Sequence, residues 1–178
     1  MLKDFLSKEI VYLGLGSNVG DKIESISRAI DLLAKMPRVD ILKVSSLYET
    51  EPVELKTDDL FINCVVMIET DFACFEMLFI LKEMEATLGR VKGRECGARE
   101  IDIDILVWEN RVLGSDALTI PHKEIANRKF VLIPLNELNS TLEVPRYNKR
   151  PAELLEQMSV ENKRYEVKQV HSERCLWQ

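Results

Sequence analysis

Arg99-Glu100-Ile101-Asp102-Ile103-Asp104-Ile105-Leu106-Val107-Trp108 sets two carboxylates two residues apart inside an otherwise apolar, β-branched run. The pattern predicts a strand. Side chains alternate along a strand, so Asp102 and Asp104 share one face while Ile101, Ile103 and Ile105 share the other, toward a core. The two Asp Cα atoms then lie roughly 6.5 Å apart. Like charges this close push each other toward protonation unless a cation sits between them. A hard divalent ion such as Mg²⁺ suits two carboxylates, taking its remaining oxygens from water and from a substrate phosphate. An Asp-x-Asp strand also describes a plain solvated sheet face, so its neighbours carry weight. Arg90, Lys92, Arg94 and Arg99 lie just ahead of it. Acids that collect a metal beside bases that collect an anion point to a nucleotide-phosphate site. Arg99 has the wrong parity to join the aspartates in an unbroken strand, so it is expected in the preceding loop or at a bulge.

Around this stretch the chain has an ordinary globular composition, 46% hydrophobic and 30% charged over 178 residues, which predicts a single domain with a real core. A net charge of −6 argues against a general nucleic-acid or membrane-surface binder. The basic run from Arg90 to Arg99 is the local exception. Cys64, Cys74, Cys96 and Cys175 form no CxxC pair, and with two histidines in the chain a zinc site is not expected. No leader or membrane-length apolar run is visible, so a cytoplasmic protein is expected.

Residues 10 to 15 predict a buried strand running into Gly16-Ser17-Asn18-Val19-Gly20-Asp21, then a helix through Ile23, Ile26, Ala29, Ile30, Leu33 and Met36 that Pro37 stops. The glycine loop matches neither common phosphate-binding fingerprint and reads as a tight turn. Residues 39 to 50 predict a second strand, and the loop from Glu51 to Asp59 is a place for ligand contacts. Leu60 to Ile68 predicts a strand apolar on both faces, with Asn63 in its middle. A buried amide needs partners, either a neighbouring backbone loop or the edge of a ligand. Residues 73 to 88 predict a helix with Asp71 as N-cap, Gly89 as its stop, and Phe75, Leu78, Phe79, Leu81 and Met84 as its core face. The order βαββαβ implies an α+β, ferredoxin-like antiparallel sheet flanked by helices. Beyond it, Arg111 to Leu113 suggests a short return strand, 152 to 158 a helix and 165 to 170 a final strand. His122, with Lys123, Arg128 and Lys129 nearby, suits an anion site or, equally, the start of a helix.

Taken together, Leu15-Gly16-Ser17-Asn18, Ser45 to Pro52, Phe61-Ile62-Asn63, Leu88-Gly89-Arg90, Gly97-Ala98-Arg99 with Glu100 to Leu106, Thr119-Ile120-Pro121-His122 and Asn127 to Phe130 resemble the 6-hydroxymethyl-7,8-dihydropterin pyrophosphokinase family over about residues 10 to 158. The remainder, 159 to 178, is a C-terminal extension. The resemblance implies diphosphate transfer from ATP to the pterin's hydroxymethyl oxygen, in folate biosynthesis. It implies two Mg²⁺ ions on Asp102 and Asp104, with Arg90 and Arg99, assisted by Lys92 or Arg94, neutralising the transferring group. It implies His122, Lys123 and Arg128 on the triphosphate, and Lys82, Glu85 and Ile105 near the nucleotide. It further implies that Asn63 pairs with the pterin edge and Phe130 stacks on its ring, while Thr50, Val53 and Phe61 complete the pocket. The chain departs from the family at Cys96, which stands where an aromatic is usual, and at Ala98, which stands for a proline. Such an enzyme is expected to act as a monomer on two small molecules. The other readings are a Mg²⁺-dependent phosphohydrolase and a non-catalytic ferredoxin-like module that binds nucleotide or pterin.

Overall fold

A computed structural model describes residues 7–52, 59–90, 99–163 and 165–171. Its centre is an antiparallel sheet in the order β5-β1-β4-β3-β8, with β2 also paired to β4. Here β1 is Glu9–Ser17, β2 Val39–Val44, β3 Leu47–Thr50, β4 Phe61–Thr70, β5 Asp102–Trp108 and β8 Val167–Val170. Helices α1 (Lys22–Ala34) and α2 (Cys74–Thr87) connect the first five strands in βαβββαβ order, which is the βαββαβ order the sequence implies with its second strand divided into β2 and β3. A small hairpin of β6 (Leu113–Gly114) and β7 (Thr119–Ile120) follows, then α3 (Lys129–Leu138), α4 (Pro151–Gln157) and α5 (Val160–Lys163).

Helix α1 begins where Asp21 accepts the Glu24 amide at 3.0 Å, an N-cap on an orphan donor. It buries Ile26, Ala29, Ile30 and Leu33. With Met77 and Leu81 of α2, these residues cover the sheet face made by Val11, Leu13, Leu15, Ile101, Ile103 and Ile105. The opposite face is packed at one end only. There Tyr12, Val65, Leu106 and Val107 meet Val131, Leu132, Leu135 and Leu154 of α3 and α4. A register shift between β1 and β5 moves the pairing from Tyr12–Val107 to Leu13–Ile105. This bulge hands Val107 to the α3 face and sends Trp108 into the α1/α2 core, so strict alternation ends at Leu106.

Several sequence expectations need correction. The strand foreseen over 39 to 50 is broken at Ser45-Ser46, because the Ser45 hydroxyl accepts the Val65 amide at 2.9 Å and the Ser46 amide turns to the Glu137 carboxylate at 2.9 Å. Asp71 does not cap α2. Ala73 is the N-cap, Glu76 reaches back to its amide at 3.4 Å, and Asp71 pairs with Arg38. Phe75 and Phe79 are exposed rather than core, at 51% and 66%. Helix α2 is apolar almost all round, and its buried stripe runs through Met77, Leu81, Met84 and Glu85. Gly89, at φ +101°, does end the helix. The return strand after β5 pairs with β7 in its own hairpin and not with the main sheet.

Candidate active site

Where α3 and α4 stop covering the sheet, a cavity of about 240 Å³ opens over β1, β4 and β5. Its floor is built of small residues. Gly14 and Gly16 of β1 have the same parity as Tyr12, which α3 covers, but they carry no side chain into the space. A Cβ on Gly16 would stand 2.8 Å from Asn63 Oδ1, a distance real contacts do not show, so glycine there lets the Asn63 amide cross the sheet. On Gly14 it would meet the Leu106 side chain at 3.2 Å.

One end of the cavity is neutral and flat-walled. Asn63 is 7% exposed and donates its Nδ2 to Thr50 Oγ1 at 2.8 Å. Its partner is therefore a neighbouring side chain rather than a backbone loop. Phe61 and Phe130 line the same cavity. A ring between such walls gains from stacking, and a buried amide rewards a ligand edge with matching donors and acceptors.

The other end is ionic. Asp102 and Asp104 lie on the cavity face of β5 and Arg99 in the loop before it, as parity requires. Arg90 binds Asp102 at 2.6 Å and also Glu85, while Arg99 binds the second Asp102 oxygen. Burial alone pushes the Asp102 carboxyl up, but Arg90 and Arg99 outweigh it and hold it below the usual carboxylate range. Asp104 meets Lys82 Nζ at 3.8 Å and Arg128 at 3.9 Å, contacts longer than hydrogen bonds. Four cations thus face three carboxylates, which leaves the cluster receptive to an anion.

Two residues expected to border a nucleotide also have a structural task. β5 is an edge strand, and its Ile103 amide donates to Glu85 Oε1 at 2.7 Å while its carbonyl accepts from Lys82 at 3.1 Å. The α2 side chains therefore take the place of a neighbouring strand. Burial raises the Glu85 carboxyl above its ordinary value, against the pull of Lys82 and the Ile103 amide. Further along the same edge the His122 amide donates to the Leu106 carbonyl at 2.8 Å, which brings the histidine beside Asp104. His122 Nδ1 accepts the Glu124 amide at 3.1 Å. Burial and then the Arg128 charge lower its pKa below 6.5.

Thr50, Phe61, Asn63, Arg99, Asp102, Asp104, Arg128 and Phe130 all line the one cavity. Arg90, Lys82 and Glu85 stand behind its ionic end, joined to Asp102 and Asp104 by the contacts above. Lys123 follows His122 on the loop at that edge. Ile105 is 3% exposed and faces the core, so it could offer a ligand only its backbone. Val53, Lys92, Arg94 and Cys96 fall outside the described residues. Lys129 does not join the cluster: its ammonium donates to the carbonyls of Lys163 at 3.5 Å and Tyr165 at 3.3 Å.

The chain matches the family described as 7,8-dihydro-6-hydroxymethylpterin-pyrophosphokinase over residues 12–140. It belongs to that family. The 2-amino-4-hydroxy-6-hydroxymethyldihydropteridine pyrophosphokinase of Methylorubrum extorquens is 39% identical over 127 residues, 71% of this chain and 80% of the relative. The protein of the same name in Bacillus subtilis is 37% identical over 134 residues, 75% of this chain and 80% of that one. Folic acid synthesis protein fol1 of Schizosaccharomyces pombe is 42% identical over 143 residues, 80% of this chain, and the match spans 19% of that longer protein. Among solved structures, Plasmodium falciparum HPPK-DHPS with pteroate superposes with a TM-score of 0.66 at 17% identity, over 84% of this chain and 44% of that one. At that identity the likeness speaks for the fold.

Sequence reading missed several residues of this cavity. Gly16 was read as part of a turn, yet it is the last glycine of a strand, and its need shows only once β4 is laid beside β1. Asn18 holds Arg99 from both sides: its Oδ1 accepts the Arg99 amide at 2.7 Å and its own amide donates to the Arg99 carbonyl at 3.1 Å. Glu51, Glu124, Asn127 and Asn162 also line the cavity. Partners as distant in sequence as Asn18 and Arg99 leave no periodic signal.

Proposed function

We propose that this cavity transfers the diphosphate of ATP to 6-hydroxymethyl-7,8-dihydropterin, a step of folate biosynthesis. The hydroxymethyl oxygen forms a bond to the β-phosphorus, the bond from that phosphorus to the α–β bridging oxygen breaks, and AMP leaves with the hydroxyl proton released. The observation that carries this reading is one cavity lined both by a buried amide with two aromatic rings and by a carboxylate pair among cations.

Asn63, held by Thr50, reads the pterin edge, and Phe61 and Phe130 bracket its ring. Arg128, His122 and Lys123 hold the triphosphate. Arg90 and Arg99, now on Asp102, exchange part of that pairing for the transferring phosphates, so they stabilise charge where it develops. Lys82, Glu85 and the Ile105 backbone border the nucleotide.

Asp102 and Asp104 fit Mg²⁺ by their donor chemistry, hard oxygens on one strand face next to a phosphate-receptive cluster. Among the described residues no group of three or more His, Cys, Asp or Glu is placed to hold a metal ion, so the two carboxylates would share the ions with water and phosphate. Bound there, the two ions would neutralise the triphosphate and draw the attacking oxygen toward it. No side chain need act as a strong base, because such transfers depend mainly on positioning and charge.

The reading carries with it a cytoplasmic monomer acting on two small molecules. No helix among the described residues is long and apolar enough to cross a membrane. Incubation with ATP, Mg²⁺ and the hydroxymethyl-dihydropterin is expected to yield AMP and the pterin diphosphate, with neither formed when the pterin is omitted. ADP as product would reject this reading, and phosphate release from ATP alone would replace it with a hydrolase.

A further inference from the structure

The family match ends at residue 140, yet the cavity does not. Asn162 of α5 lines it, and three contacts hold the surrounding segment in place. Strand β8 adds to the free side of β3 in a fixed register, with Thr50 opposite Val167 and Tyr48 opposite Gln169. Gln169 Nε2 donates to Ser46 Oγ at 2.9 Å. Lys129, at the start of α3, clamps the carbonyls of Lys163 and Tyr165.

This path runs past Thr50, the residue that holds Asn63, and on its other side it meets the loop that carries His122 and Arg128. From there the amides form a chain: Asn162 Nδ2 lies 3.4 Å from Asn127 Oδ1, and Asn127 Nδ2 donates to Glu124 Oε2 at 3.1 Å. All three residues line the cavity.

We propose that residues 159–163 and 165–170 form an outer wall of the heterocycle end of the cavity, and that Asn162 is a specificity-determining contact for a planar heterocycle bearing amide-like donors and acceptors. The proposal rests on the pyrophosphokinase reading and extends it to a segment outside the family match. A carboxamide offers both a donor and an acceptor, which suits a pterin edge, whereas a triphosphate would call for a cation. Lys129 is a positioning residue for this wall, acting through the two carbonyls it holds.

The test uses the full chain with Asn162→Ala, Lys129→Met and the double variant, and measures KM for the pterin and for ATP separately. Loss of one hydrogen bond to the ring should raise the pterin KM roughly 3- to 10-fold in each single variant. The ATP KM should move less than about twofold, and the double variant should be no worse than the poorer single, because both changes act on one element. A general loss of structure would not separate the two KM values. An unchanged pterin KM in Asn162→Ala, or equal shifts for both substrates, would overturn the wall while leaving the reaction standing. If the wild type forms no AMP, the reaction fails instead, and calorimetric binding of the pterin to wild type and Asn162→Ala decides the wall: equal affinity, or no binding, overturns it.

Discussion

The two faces of the central sheet follow the same alternation and end as opposites. On the α1/α2 side, Leu13, Leu15, Ile103 and Ile105 are at most 3% exposed and interlock with Ile26, Ile30 and Leu81. On the α3 side, the same strands present Gly14, Gly16, Asp102 and Asp104, and the covering helices reach only as far as Tyr12 and Leu106. One face fixes the strands and the other spends that rigidity on a site. A cavity placed on a well-packed sheet keeps its side chains where phosphoryl chemistry needs them.

The sharpest way to break the contrast is to change each face by one side chain on the same strand. Asp104→Asn keeps shape and removes the charge, so we expect turnover to fall by about 10³-fold or more while the urea midpoint hardly moves. Ile103→Ala should do the reverse. Removing a buried isoleucine beside α1 and α2 is expected to cost about 2–5 kcal/mol of stability, with kcat per folded molecule preserved. An Asp104→Asn enzyme that still turns over normally would remove the metal role. An Ile103→Ala protein that kept its stability would deny that this face is the anchor.

Gly16→Ala sharpens the comparison from the site's side, with a smaller effect. The added carbon would press on Asn63 Oδ1, so the amide must turn from Thr50 or shift within the cavity. The pterin KM should rise about 10- to 100-fold. Gly14→Ala should be milder, because its neighbour at 3.2 Å is the flexible end of Leu106. Equal effects from the two glycines would argue against a special demand at position 16.

These contrasts also mark what could be read from the chain alone. Alternation around Asp102 and Asp104 reported the strand, its two faces and the place of Arg99, because a period of two is a local property. The core of α2 was misread at Phe75 and Phe79, because an almost uniformly apolar helix does not say which side meets the sheet. Helix α3 was not foreseen, and Pro134 within it blurs the helical signal. The roles of Asn18 at Arg99, of Glu85 and Lys82 at the Ile103 edge, and of Asn162 at the cavity rim arise from pairings across 18 to 81 positions, which no local pattern encodes.

The smallest expected effect concerns the rim where the two regions meet, at His122. Its pKa is lowered below 6.5 by burial and by Arg128, and its Nδ1 must stay unprotonated to accept the Glu124 amide. As pH falls through 6.5 the unfolded chain takes up a proton that the folded chain refuses until a lower pH, so stability is full above 6.5 and declines as pH drops toward the folded value. Asp102, held low, loses stability in the same direction at more acid pH, whereas Glu85, held high, acts with the opposite sign. Only a difference between proteins isolates the histidine. Urea midpoints of wild type and His122→Gln between about pH 7.5 and about pH 5.5 should show the wild type losing more stability on acidification. Parallel curves would mean that His122 takes its proton as readily in the folded protein as in the unfolded one, and that the edge of β5 at Leu106 tolerates a charge beside Arg128.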